Sequence, residues 1–211
     1  MIHMHDVETI VKQRRSANKF LKDIEISEKE LTEMFSLTKF APSAFNLQHT
    51  HYVAITDKDK MNTLYEAAFK QYKVLTASAV IVVLGDLDAY KHVGAMNEGL
   101  LNLGVISQQE YDQIVTSTTE FYTGLGESFR REDAVRNASL SAMQLMLIAK
   151  DKGWDTCPMI GYDPDKVRSA LNVPDHLVPV MMITIGKEDT SSQRPRGYRK
   201  PVHEFVTFHS F

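Results

Sequence analysis

Between residues 133 and 152 the chain carries Leu140, Met143, Leu145, Met146, Leu147 and Ile148 beside the small residues Ala138, Ser139, Ser141 and Ala142. At helical spacing these side chains cover much of the circumference rather than one stripe, so the helix they predict must be buried on most of its sides. Gly153 is its C-terminal stop. β-branched runs at 51–56, 79–84 and 178–185 predict the strands on which such a helix can lie, and 79–84, apolar throughout, reads as a strand buried on both faces.

The remaining segments are amphipathic. Val7, Ile10 and Val11 lead into Lys12-Gln13-Arg14-Arg15, a helix with a cationic end. Ser27 and Glu30 form a capping box ahead of Leu31, Met34, Phe35 and Leu37, and Pro42 closes that helix. Residues 58–70 read as helical, as does a short stretch after Pro164, whereas 94–125 is undecided apart from a polar helix through Tyr111, Ile114 and Val115. The chain ends in a basic tail from Arg194 to Pro201 and a strand-like run at 202–208. With neither repeats nor a linker, the expectation is one domain over residues 1–211, of α+β class, with helices around a small, largely antiparallel sheet. The breadth of the 133–152 apolar surface further predicts a homodimer.

Composition narrows the function classes. At 43% hydrophobic and 24% charged residues the chain is neither disordered nor low-complexity, and a net charge of -3 provides no global positive field for nucleic acid or an anionic membrane. One cysteine, Cys157, excludes an intrachain disulfide, and the N-terminal sequence carries neither a basic n-region nor an apolar run, so the expected compartment is the cytoplasm. Gly124-Leu125-Gly126 lacks both a preceding strand and a third glycine, with Phe at 129, and reads as a turn between helices. The i,i+2 pairs His3/His5 and His49/His51 lack accompanying acidic or thiol ligands, so no metal is expected, and Cys157 reads as a small buried hydrophobe. What remains are cations at both ends of the chain, Arg14, Arg15, Arg196 and Arg199, with Ser16 beside the first pair, and a polar loop at 43–48. Guanidinium forks and a hydroxyl suit a phosphate monoester; a solvated basic helix end is the alternative.

The series Arg14-Arg15-Ser16-Ala17-Asn18-Lys19-Phe20, Ala41-Pro42-Ser43-Ala44-Phe45-Asn46-Leu47-Gln48, Gln71 ahead of Ala77-Ser78-Ala79, Gly153-Trp154-Asp155 to Pro158-Met159-Ile160-Gly161-Tyr162, and Arg199-Lys200-Pro201 resembles the FMN-dependent nitroreductase family, in order and over nearly the whole chain. That resemblance implies an intertwined homodimer with two flavin sites at its interface. It implies that Arg14, Ser16 and Arg199, with Arg196 beside them, hold the phosphate and ribityl end, that Arg15 bonds the flavin, and that Asn18 and Gln71 face the pyrimidine edge. Pro42, Ser43, Ala44 and Asn46 would reach the flavin of the other subunit, Pro158, Ile160 and Gly161 would lie by N5, and Phe121 or Tyr122 would roof the pocket. Two departures stand out. The family commonly has Lys or Arg where this chain has Asn18, so the cation near N1/O2 is missing unless Lys73 supplies it, and many members have Glu where this chain has Ile160. The implied activity is ping-pong transfer of hydride from NADH or NADPH through FMN to a flat acceptor such as a nitroaromatic or quinone. A non-catalytic module gripping an anionic ligand or partner through its basic ends is the rival reading.

Overall fold

Residues Ala79–Asp86 are buried at every position, and their side chains divide by parity, as a pleated strand requires. Ala79, Ile81 and Val83 join one hydrophobic cluster, and Val80, Val82 and Leu84 join another on the opposite face. A computed structural model describes residues 6–210. In chain order the elements are α1 (Val7–Gln13), α2 (Glu28–Thr38), β1 (Thr50–Ile55), α3 (Lys58–Ala67), α4 (Lys73–Thr76), β2 (Ala79–Asp86), α5 (Val93–Asn102), α6 (Gln108–Asp151), β3 (Asp155–Met159), α7 (Pro164–Leu171) and β4 (Leu177–Gly186). The strands form one sheet in the order β1-β2-β4-β3, antiparallel at every pairing.

Helices cover both faces. Met61 and Leu64 of α3, Val74 of α4 and Val167 of α7 pack on the side of Val80 and Val82. Leu31 and Met34 of α2 and Ala138, Ala142 and Leu145 of α6 pack on the side of Ile81 and Val83. The α6 side chains nearest the sheet are small, and the helix comes so close that a Cβ on Gly85 of β2 would stand 3.0 Å from the Ala134 carbonyl oxygen. Helix ends follow the expected chemistry. Ser27 and Glu30 cap α2 reciprocally, and past α6 Gly153 turns left-handed (φ 75) while Trp154 N–H bonds Ala149 O at 2.8 Å.

The structure departs from the sequence expectations at three places. Residues 108–151 hold two helices that meet at Gly126 (φ 78, ψ -173), so the turn expected at Gly124–Gly126 lies between helices but is confined to one residue, and the helical stretch extends well ahead of the expected 133–152. Asp155–Met159, read as part of a turn, is an edge strand, because Pro158 breaks the strand pattern in sequence yet is tolerated at a sheet edge. The 202–208 run is not a strand: Val202–Glu204 is a 3-10 turn, and no sheet pairing reaches it.

Gly85→Ala is expected to cost about 1–3 kcal/mol, because backbone atoms of Ala134 cannot swing aside. Gly99→Ala, in α5 where a Cβ meets nothing within 4 Å, is expected to raise stability by about 0.5–1 kcal/mol. Chemical denaturation of the two variants against wild type checks both signs.

Candidate functional site

After α1 the chain runs alongside β3. Ser16 bridges to Thr156, and Ala17 N–H bonds Thr156 O at 3.0 Å. The basic tail returns to the same place: Arg196 donates to the backbone oxygens of Lys12 and Arg14 at the end of α1, Arg15 donates to Arg194 O, and Arg199 folds onto the carbonyls of Gly197 and Tyr198 at 3.1 and 2.9 Å. Burial lowers the pKa of Arg14, and the nearby charges of Arg196 and Arg199 lower it further. Among the described residues the arginine ion pairs belong to Arg130, Arg136 and Arg168, so Arg14, Arg15, Arg196 and Arg199 gather without one, whereas Lys12 pairs with Glu8.

Lys73 and Gln71 reach this group from the turn leading into α4. Lys73 Nζ lies 3.3 Å from Cys157 Sγ, and Gln71 Nε2 donates to Gly161 O at 2.6 Å. Gly161 is small where this bond needs it, since a Cβ there would stand 3.1 Å from Gln71 Nε2. Ile160 beside it is 84% exposed, an apolar side chain held out at the rim. Arg14, Arg15, Ser16, Asn18, Gln71, Lys73, Pro158, Ile160, Gly161, Arg196 and Arg199 thus lie on segments that meet at the β3 edge. Cys157 is buried, as expected, but it also serves as the partner of the Lys73 ammonium.

A second group lies at the other edge of the sheet, on the loop entering β1. Phe45, Asn46 and Gln48 there have φ of 51, 54 and 51°, a left-handed conformation that disfavours side chains. Gln48 N–H bonds Ser43 Oγ at 3.0 Å, and Ala44 N–H bonds Asn137 Oδ1 at 2.8 Å. The Phe45 ring packs on Phe121 and Tyr122, with centroids at 5.5 and 5.9 Å. Pro42, Ser43, Ala44, Asn46, Phe121 and Tyr122 therefore belong together, and within one chain they do not join the first group. β2 and β4 separate the two edges, a distance of about 14 Å at normal strand spacing. A cleft of about 650 Å³ opens beside this second group, lined by Pro42, Ser43, Leu47, His51, Asp86 and His176.

Tyr122 is 2% exposed and donates its hydroxyl to Asp133 Oδ2 at 2.6 Å; burial, then the bond and charge of Asp133, raise its pKa. Phe121, 43% exposed, is the more open member of the pair. Sequence reading missed the hub beneath them. Asp133 is 3% exposed and accepts from Tyr122 and from Arg136 at 2.8 Å, while His49 Nε2 stands 3.3 Å away. Arg136 is local, three residues on, but Tyr122 and His49 come from farther along the chain, and their convergence leaves no local signal. His51 and Asp86 pair at 3.6 Å; burial raises the Asp86 pKa, but the bonds from His51 and Asp88 N–H outweigh it and hold the pKa low. No group of His, Cys, Asp and Glu is placed to hold a metal among the described residues, and His3 and His5 lie outside them. No helix among the described residues is long and apolar enough to cross a membrane.

The model of the nitroreductase family matches residues 11–187, and the chain belongs to that family. A relative in Bacillus subtilis (strain 168), named as the NAD(P)H nitroreductase MhqN, is 56% identical over 199 residues, covering 94% of this chain and 97% of its own. A crystal structure of the B. subtilis nitroreductase ydfN superposes with a TM-score of 0.95 at 54% identity, over 98% of this chain and 100% of that one. A nitroreductase from Exiguobacterium sibiricum solved in complex with FMN gives a TM-score of 0.88 at 30% identity, over 97% of each chain.

Burial lowers the His49 pKa below its ordinary value of 6.5, and Asp133 and Asp86 limit the drop. The imidazole is therefore neutral in the fold, while the unfolded chain takes up its proton first as pH falls. Stability is expected to fall as pH drops below about 6.5. His49→Gln, neutral throughout, is expected to flatten that dependence in thermal unfolding curves recorded across this range.

Proposed function

We propose that the chain is an FMN-dependent NAD(P)H oxidoreductase that works as a homodimer, each flavin held between the β3-edge residues of one subunit and the 42–46 loop of the other. One observation supports the reading: the two groups of residues that would together hold a flavin lie on opposite edges of a single chain's sheet. Exposed apolar side chains supply surface for a second copy. Leu37 and Phe40 at the end of α2 lie beside Leu140 and Met143 of α6, where Gln144 Nε2 bonds Leu37 O at 3.0 Å, and Val202, Phe205 and Phe208 stand out from the tail.

The donor set fits the cofactor. Arg14, Arg196 and Arg199 offer charge-assisted bonds to a phosphate dianion, which relieves the repulsion that depresses Arg14. Ser16 adds a hydroxyl, and Arg15 and Asn18 lie on the same segment. Gln71 and Lys73 present an amide and an ammonium beside Gly161 and Cys157. In this chain Lys73 takes the cationic role near N1/O2 that Asn18 leaves open, while Pro158, Ile160 and Gly161 flank N5. FMN, when bound, supplies hydride transfer between NAD(P)H and an acceptor. The protein places it, excludes water and leaves one face for a flat nitroaromatic or quinone, with Phe45 and Phe121 as aromatic walls. The cytoplasm supplies NADH and NADPH.

The purified protein is expected to be yellow, or to become so with added FMN, and to sediment as a dimer. A colourless protein that cannot be reconstituted would instead mark a non-catalytic anion-binding module. Arg14→Ala and Arg199→Ala are each expected to weaken FMN binding by about 1.5–3 kcal/mol, the worth of a bond to a charged group, while riboflavin, which lacks the phosphate, is held as before. Flavin fluorescence titration reads both.

A further inference from the structure

We infer that Asn137 is a positioning residue for the flavin site: it holds the 42–48 loop in the shape in which that loop meets the other subunit's flavin, an inference that rests on the reading above. Phe45, Asn46 and Gln48 put three side-chain-bearing residues into the left-handed region within four positions. Such a conformation persists only where surrounding contacts over-determine it. Inside the loop, Ser43 accepts from Gln48 N–H at 3.0 Å through its hydroxyl and from Asn46 N–H at 3.0 Å through its carbonyl. Leu47, fully buried, plugs the loop into the aromatic cluster around Tyr90 and Tyr122. The backbone tie from the loop to the body of the protein is the bond from Ala44 N–H to Asn137 Oδ1, 2.8 Å long.

Asn137 is built to make that bond in one orientation. It is 3% exposed, and its Nδ2 donates at 2.8 Å to the carbonyl oxygen of Asp133, one turn earlier in α6. Flipping the amide would set Nδ2 against the Ala44 N–H and Oδ1 against the Asp133 carbonyl, donor to donor and acceptor to acceptor, so the carboxamide oxygen must face the loop. The turn that carries it is itself immobilised. The Asp133 carboxylate is bonded by Tyr122 and Arg136, and Ala134 lies against Gly85 of β2. Asn137 therefore connects a strained loop to the most rigid part of the helix.

The test compares FMN and riboflavin affinity in the full-length dimer. Asn137→Leu keeps the number and branching of the side-chain heavy atoms and removes both bonds, and it is expected to weaken both flavins about three- to tenfold, as loss of one hydrogen bond does. Loss at the loop must strike both ligands alike, whereas loss at the arginine end strikes FMN alone. Asn137→Ala carries the same expectation and stands in if the leucine variant does not fold. Asn137→Asp, measured at mildly acidic pH where its buried carboxyl is protonated, keeps an acceptor for Ala44 N–H and a donor for the Asp133 carbonyl, and is expected to bind both flavins more tightly than Asn137→Leu. A folded dimeric Asn137→Leu or Asn137→Ala with wild-type affinity for both flavins overturns the inference and leaves the flavin reading intact. So does an Asn137→Asp that binds no better than the apolar variant. A wild-type protein that binds neither flavin overturns the flavin reading and this inference with it.

Discussion

The close seat of α6 on the sheet governs the rest of the molecule. Ala134, Ala138 and Ala142 present little more than a methyl group each to the strands, and Gly85 removes even the Cβ on the opposing side. Dispersion contacts and apolar burial grow as two such surfaces approach, so this half of the helix takes up the face carrying Ile81, Val83, Ile183 and Ile185. α3, α4 and α7 use the other face. With both faces covered, backbone and side chains can reach solvent or a ligand chiefly at the two sheet edges, and both functional groups lie there.

The two edges handle charge in opposite ways. Beneath the β1 loop, Asp133 is deeply buried, and its carboxylate is held by Tyr122 and Arg136 with His49 alongside; a buried charge without such partners would cost several kcal/mol. At the β3 edge Arg14, Arg15, Arg196 and Arg199 form no ion pair among the described residues, and burial, with the charges of Arg196 and Arg199 added, depresses Arg14. What gathers them is the carbonyl end of α1: Arg196 bonds the oxygens of Lys12 and Arg14, where the helix dipole is negative. Backbone dipoles thus hold the guanidiniums together without neutralising them, which leaves their charge available to an anion.

Much of this was legible in the sequence because it is local. Capping at Ser27, the unbroken apolar run of 79–84 and the helix across 133–152 all act within a few residues, and each survives in the structure, although Leu140 and Met143 of that helix stay exposed rather than buried. β3 escaped because Pro158 denies it a strand signature, and only an edge position lets the strand tolerate it. The tail misled for the converse reason, since strand propensity alone forms no strand, and among the described residues the run at 202–208 pairs with neither edge of the sheet. The segments of the first group could be read as a series in register. The tie from Asn137 to Ala44 could not, for it joins positions 93 residues apart and its meaning depends on an amide orientation that only the fold imposes.

A site divided between subunits has a thermodynamic consequence that a site within one chain lacks. A ligand that touches both subunits binds the dimer more tightly than the monomer, and linkage then requires it to tighten the dimer by the same factor. The loop proposed to meet the flavin is the strained one, so part of its conformational cost is met inside the subunit by Asn137, Ser43 and Leu47 before any partner arrives. A loop already ordered loses less entropy on assembly, which leaves more of the contact energy for holding the cofactor. The strain at Phe45, Asn46 and Gln48 thereby serves binding: it is carried by the fold rather than charged to the encounter between subunits and flavin.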